Sequence, residues 1–265
     1  MSESESGARN VTILYEDNHL LCAVKPRGIL SQADGTGAPD MLTILKRYIK
    51  IKYDKKGAVY LGLTHRLDRP VGGVMVFART SKAAGRISAQ FRGRTVKKTY
   101  FAVLDGAPDS VEGRLEHRVG KESQNNIVRV SEAGDADIGG KEYAVLDYRL
   151  LDKSRDGALA LVRVEPLTGR PHQIRAQFAY IGHPVAGDRK YGGRAYAGDG
   201  AYEGGRLNNG EYSGINVKID APALWAAAIA FSHPVSQSQT LISASPPNEY
   251  PWNEFDKKLY NIAGE

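Results

Sequence analysis

The sequence predicts an α+β protein with a mixed, mainly antiparallel central sheet and peripheral helices and loops. Three observations carry that expectation. Short runs rich in Val, Ile, Leu, Tyr and Phe recur between turn residues along the chain. Neighbouring runs are joined by tight turns more often than through helices, which favours antiparallel pairing over a doubly wound parallel sheet. Helical spacing is confined to three segments, 40–53, 80–94 and 170–182. No repeat of fixed period and no shift in composition divides the chain, so residues 11–265 are expected to form a single domain.

The elements follow in order. "VTILYEDNHLLCAVKPRGIL" reads as two strands, 11–15 and 19–24, around an Asp17-Asn18 turn. Lys25-Pro26 breaks the second strand, and Gly28 permits a tight turn. "DMLTILKRYIKIKY" sets Met41, Leu42, Leu45, Tyr48 and Ile49 at helical spacing behind an Asp40 N-cap. "GVMVFAR" (73–79) is a continuous apolar run, hence a buried strand. In "TSKAAGRISAQFRGR" Thr80 or Ser81 caps a helix, Ala84, Ile87 and Phe91 form one face, and Gly93 ends it. "KKTYFAVLDG" is a strand with Tyr100, Ala102 and Leu104 on one face. Residues 112–137, centred on "KESQNN", read as polar and irregular. "KEYAVLDYRLLD" and "LALVRVEPL" make a hairpin across "KSRDG". "RPHQIRAQFAYIG" reads as an amphipathic helix with Ile174, Phe178 and Ile181 on one face, Pro171 in its first turn and Gly182 as its stop. Residues 194–214 form a long Gly-, Tyr- and Asn-rich loop, either functional or a neutral surface insertion. "ALWAAAIAFSHP" and "QTLISASPP" close the chain with two strands.

Composition narrows the class. The 36 Lys and Arg against 30 Asp and Glu leave a net +6, compatible with a polyanionic partner. The single cysteine, Cys22, excludes an internal disulfide and a Cys-x-x-Cys zinc site and fits a reducing cytoplasm. The first ten residues lack the basic and apolar regions of a secretory leader and are expected to be a disordered tail. No apolar run is long enough to span a bilayer, so a soluble, cytoplasmic monomer without membrane contact is expected.

Chemistry-bearing residues gather in polar islands at element edges: "VKPRG" (24–28), "HRLDRPVGG" (65–73), "VKKTY" (96–100), "TGRPHQIR" (168–175) and "IGHPVAGDRKYGG" (181–193). The chain has no P-loop, no G-x-S-x-G elbow and no H-E-x-x-H. His65, His172 and His183 have Arg and Pro neighbours and no helical ligand spacing, so no metal is expected. One carboxylate, Asp68, stands among cations. A carboxylate kept ionised by arginine suits chemistry at an oxocarbenium-like sugar carbon. A glycosidase wants a second carboxylic acid, and only Glu165 and Asp188 come near that role. The departure points to a leaving group that needs little acid help, such as a nucleobase.

With these islands together, the sequence resembles the RluA family of pseudouridine synthases. His65-Arg66-Leu67-Asp68 matches the family's catalytic signature. Lys25-Pro26-x-Gly28, Lys97-Lys98-Thr99-Tyr100, Thr168 to Arg175, and Gly182-His183-Pro184-Val185-x-Gly187-Asp188 match in the same order, within most of residues 11–247. The resemblance implies isomerisation of specific uridines in ribosomal or transfer RNA, with no cofactor and no metal. It places the catalytic aspartate on Asp68, the active-site tyrosine that stacks on uracil on Tyr100, and the arginine partner of the aspartate on Arg175. The target base must leave its stack, which calls for base flipping. His65, Arg66, Arg69, Lys25, Lys98, Arg170 and His172 are assigned to substrate binding, the two histidines as hydrogen-bonded supports and Lys25 as either loop support or RNA contact. Lys97, Arg92, Arg94 and Arg189 are further candidates for the phosphate path.

Two departures stand out. Val71-Gly72 replaces the Thr-Ser that usually follows the signature and offers no hydroxyl. The stretch before Val11 is too short for the S4-type domain of many relatives, so recognition is expected in the core and in insertions such as 112–137 and 194–214. A catalytically silent RNA-binding module of the same fold is the alternative, and a nucleoside or sugar hydrolase is a third reading.

Overall fold

The fold is that of a computed structural model describing residues 11–121, 127–134, 142–194 and 221–262. The tail expected at 1–10 and nearly all of the loop expected at 194–214 lie outside the described residues. The contacts cluster into two compact units. One holds residues 11–98 with Ala226–Ala244; the other holds the described residues from Thr99 to Trp225 and from Ser245 onward.

In the first unit, β1 (Ile13–Glu16) pairs antiparallel with β2 (Leu20–Lys25), and β2 with β4 (Gly72–Ala78). The two-residue β3 (Gly62–Leu63) also pairs antiparallel with β4. β10 (Leu224–Ser232) lies beside β4 and pairs antiparallel with β11 (Gln239–Ser243). All seven residues of β4 are buried, as its unbroken apolar run predicts. Leu20 and Cys22 of β2, Val74 and Val76 of β4, and Ile229 and Phe231 of β10 form one core with Ile87. The period of two explains the selection, because alternate residues of each strand reach the same face. Leu21, Ala23, Met75 and Phe77 point the other way and are equally buried. Burial pushes the Cys22 thiol up to about 12.

Helix α1 (Met41–Lys52) starts where Asp40 accepts from the Thr43 amide at 3.0 Å, and it buries Met41, Leu45 and Ile49 at i, i+4, i+8. Helix α2 (Ser81–Arg92) is capped by Thr80, whose hydroxyl accepts from the Ala83 amide at 3.1 Å. Its buried face is Ala83 and Ile87; Ala84 and Phe91 are only partly covered.

In the second unit β5 (Lys97–Asp105) pairs with β9 (Leu159–Pro166), β9 with β8 (Glu142–Lys153), β8 with β6 (Glu112–Lys121), and β6 with β7 (Val128–Glu132), all antiparallel. The hairpin expected across "KSRDG" is β8–β9. The stretch expected to be irregular instead supplies β6 and β7. Leu115, His117 and Val119 alternate with more exposed Glu116 and Arg118, a strand period hidden because one inward residue is a histidine. Helix α3 (Gln173–Tyr180) begins later than predicted, because His172 sits in the left-handed region at φ 52° and Pro171 lies before it. Nor is α3 amphipathic: Gln173 through Phe178 are all buried. Among the described residues no helix is long and apolar enough to cross a membrane.

Gly73 shows how closely the first unit is packed. Its φ is +125°, and a Cβ there would meet the Ala226 carbonyl oxygen at 2.2 Å. Gly73→Ala is therefore expected to destabilise the protein by about 2 kcal/mol or more through backbone strain and displacement of Ala226, read as a lowered urea midpoint at unchanged slope.

Candidate active site

Asp68 heads a four-residue turn, its carbonyl accepting from the Val71 amide at 3.0 Å. Both flanks of that turn are tied down. Upstream, the Thr64 hydroxyl donates to Val76 O at 2.6 Å, and His65 Nε2 accepts from the Val76 amide at 3.0 Å. Leu67 makes a reciprocal pair with one side chain: the Ser31 hydroxyl donates to its carbonyl at 2.8 Å and accepts from its amide at 3.1 Å. Downstream, the Arg69 carbonyl accepts from the Gly28 amide at 2.8 Å, and Arg69 Nε donates back to Gly28 O at 3.0 Å. Gly28 sits at φ +83°, the left-handed conformation that lets "KPRG" turn to meet Arg69.

The same carbonyl of Arg69 takes a second partner, Lys25. Its side chain is completely buried, and Nζ donates to Pro26 O at 3.0 Å, Ile29 O at 2.6 Å and Arg69 O at 3.0 Å. Three carbonyls match the three ammonium protons. Burial pulls the lysine down to about 7, the Asp68 carboxylate works in the opposite direction, and Arg69 adds to the depression. These bonds tie Lys25 to the loop that follows β2 and to the Asp68 turn.

His65 is likewise a support. Its ring stacks on Phe91 with centroids 4.9 Å apart, and burial with nearby Lys98 lowers its pKa to about 4. Accepting at Nε2 requires the neutral ring, in agreement with that direction. Arg66 and Arg69 are exposed. Lys98 is partly buried, and desolvation and Arg94 bring it to about 8. Val71 is 2% exposed, so the position where the family pattern has a hydroxyl is filled by an apolar group in a dry setting.

In the second unit, Tyr100 is partly exposed on β5, in register with Val164 of β9. Arg175 is buried on α3 and grips Asp188 with a two-pronged contact, Nε to Oδ2 at 2.5 Å and Nη2 to Oδ1 at 2.8 Å. The guanidinium also lies over the Tyr191 ring at 5.1 Å. The Tyr191 hydroxyl accepts from the Val128 amide at 2.9 Å and lies 2.7 Å from His172 Nδ1. Arg170 pairs with Glu142 at 2.7 Å and donates to Tyr143 O at 3.1 Å.

Sequence reasoning misses how Asp188, Tyr191, Gln173 and Gln177 serve this unit. Gln173 accepts from Thr168 at 2.8 Å and from the Arg170 amide at 3.0 Å, and donates to Val145 O at 3.0 Å. Gln177, one turn on, donates to Leu115 O at 3.2 Å and lies 2.9 Å from His117 Nδ1. The i, i+4 glutamines flanking a buried arginine were the available signal for a polar helix turned inward. Among the described residues no group of three or more His, Cys, Asp or Glu is placed to hold a metal ion.

The first unit thus offers an anchored carboxylate turn and the second a buried arginine helix, and comparison with known proteins gives the class. The family model for RNA pseudouridylate synthase matches residues 19–180, and the chain belongs to that family. It is 32% identical to the ribosomal large subunit pseudouridine synthase C of Vibrio cholerae over 88% of its length and 64% of that protein. It is 32% identical to pseudouridine synthase D of the same organism, over 90% of the chain and 68% of the relative. The chain thus spans about two-thirds of the length of these relatives. The solved human RNA pseudouridylate synthase domain containing 4 shares the fold, with a TM-score of 0.68 at 23% identity, covering 89% of this chain and 88% of that one.

Two measurements test the supports. Lys25→Met removes the side-chain donor from three carbonyls, of which Arg69 O keeps the Gly28 amide, and is expected to lower unfolding free energy by roughly 3 kcal/mol, checked by urea denaturation. For His65, the folded pKa of about 4 lies below the unfolded value of about 6.5, so the unfolded chain binds more protons in that window. Its contribution is whole above the upper value and is lost as pH falls through the lower one. The stability difference between wild type and His65→Gln should therefore shrink from pH 7 to about pH 4, measured by denaturation at both.

Proposed function

We propose that the protein is an RNA pseudouridine synthase whose target uridine lies in ribosomal RNA, and that residues 11–265 act as one catalytic domain. The observation that carries this reading is the Asp68 turn, a single carboxylate on a stretch of backbone tied down on both sides by hydrogen bonds, in a chain of this family. The Vibrio relatives named for the large ribosomal subunit support the substrate class.

The reaction breaks the N1–C1′ bond, turns the uracil, forms C5–C1′, removes the proton on C5 and leaves one on N1. Nothing is gained or lost overall, so no cofactor is required. Asp68 acts at the sugar, either as the nucleophile at C1′ or as the base at C2′, after the base has been flipped from its stack. Holding the carboxylate in place before substrate arrives lowers the reorganisation needed in the transition state. Tyr100 and Arg175 keep the roles the family pattern implies. Lys98, Arg66, Arg69, Arg170 and His172 are assigned to the substrate-binding set, and Lys25 and His65 serve it through the loop they hold.

Mapping pseudouridines in ribosomal and transfer RNA from cells with and without the gene tests this. One or more uridines should lose modification without the gene. Asp68→Asn protein should fold normally and fail to restore them, with at least about a 100-fold loss of rate on extracted RNA. Restoration by Asp68→Asn would remove Asp68 from the chemistry, and an unchanged map would remove the activity.

A further inference from the structure

Residues 46–56, "KRYIKIKYDKK", concentrate the charge of the protein. They contain six basic residues and one acid, a net of +5 out of the +6 that the whole chain carries. The segment is the C-terminal half of α1 and the turn beyond it, and none of the residues matching the catalytic motifs lies within it. Apart from Ile49 and the partly covered Tyr48, every side chain in it is exposed.

The arrangement is not explained by stability. α1 contains no Asp or Glu, so Lys46, Arg47 and Lys50 repel at i, i+3 and i, i+4 with no compensating pair on the helix. The helix dipole favours cations in the last turn, which accounts for Lys50 and Lys52 but not for Lys46, Arg47, Lys55 or Lys56. Only Lys52 is neutralised, by Glu16 at 2.6 Å; among the described residues the other five form no ion pair. The turn adds to the concentration. Asp54 adopts φ 45° and closes onto Ile51, which carries Lys55 and Lys56 onward beside the helix end.

The face also carries tyrosine rings. Tyr53 is 44% exposed and is held by its hydroxyl on Glu16 at 2.7 Å with the Arg79 guanidinium 4.8 Å from its ring, and the partly covered Tyr48 donates to the same carboxylate at 2.9 Å. Glu16 ties Tyr48, Lys52, Tyr53 and Arg79 into one fixed cluster. Unpaired cations around fixed aromatic rings are the composition that tracks a nucleic-acid backbone and stacks bases without reading sequence.

We propose that this face is a second, sequence-independent RNA-docking surface, which holds the phosphate backbone of the substrate outside the target nucleotide. The proposal rests on the RNA-modifying reading above. Its test combines Lys46→Gln, Arg47→Gln, Lys50→Gln, Lys55→Gln and Lys56→Gln in one variant, all at exposed positions, with circular dichroism as the check on folding. Binding of a short labelled RNA hairpin is titrated across a range of salt, and kcat and KM are measured on RNA extracted from cells lacking the gene. The variant should bind about tenfold or more weakly at moderate salt, with a salt slope flatter by about 3, while kcat is kept and KM rises. Equal affinity and equal slope for variant and wild type overturn the proposal. So does binding of the wild type to phosphatidylserine vesicles but not to the hairpin, which assigns the face to membranes. Binding is measured in the Asp68→Asn background as well, so a failure of the activity reading shows in the pseudouridine assay and leaves the binding result to be judged separately.

Discussion

The first unit depends on one buried ammonium. Lys25 ends β2 and places its charge where no water reaches, and three backbone carbonyls take the place of solvent. One carbonyl belongs to Arg69, next to Asp68, so a single cation joins the "KPRG" turn to the carboxylate turn across 44 residues of sequence. Burying an ammonium is unfavourable unless its donors are all used, and here they are. The same residue that closes β2 thereby fixes how the site begins. Gly28 shares the Arg69 carbonyl with Lys25, so removing one would loosen the other, and Ser31 adds a separate tie at Leu67.

The second unit uses a related device on a helix. α3 turns glutamine, arginine and glutamine inward, an arrangement that survives only because each meets a partner: Thr168 and Val145 for Gln173, Asp188 for Arg175, Leu115 and His117 for Gln177. The polar pairs connect α3 to β6, β8 and the loop at 182–194, elements distant in sequence. This exchanges a greasy interface for a directional one, in which register is set by hydrogen bonds.

What could be read from the residues alone follows from how local each signal is. The β4 run, the Asp40 and Thr80 caps and the β8–β9 hairpin depend on neighbours in sequence, and they were legible. The Asp68 turn was legible as a motif but not as a mechanical object, because its supports come from Lys25, Gly28 and Ser31 far upstream. β6 was hidden by a buried histidine among its inward residues, and α3 by buried polar groups that break the apolar stripe. In each case tertiary partners, absent from any short window, make an inward polar residue acceptable. The Val71-Gly72 departure reads differently once seen: Val71 fills a dry site, and the glycine that follows the pair, Gly73, clears the Ala226 backbone.

Cys22 has a practical consequence. It is the chain's one thiol, lies fully inside β2, and is held protonated by its surroundings. A low fraction of thiolate and no path for reagent make it nearly inert toward maleimides and disulfide exchange. The native protein is in effect a cysteine-free scaffold, so one cysteine introduced on an exposed loop would carry a fluorophore or spin label at a single known position without first deleting a core residue.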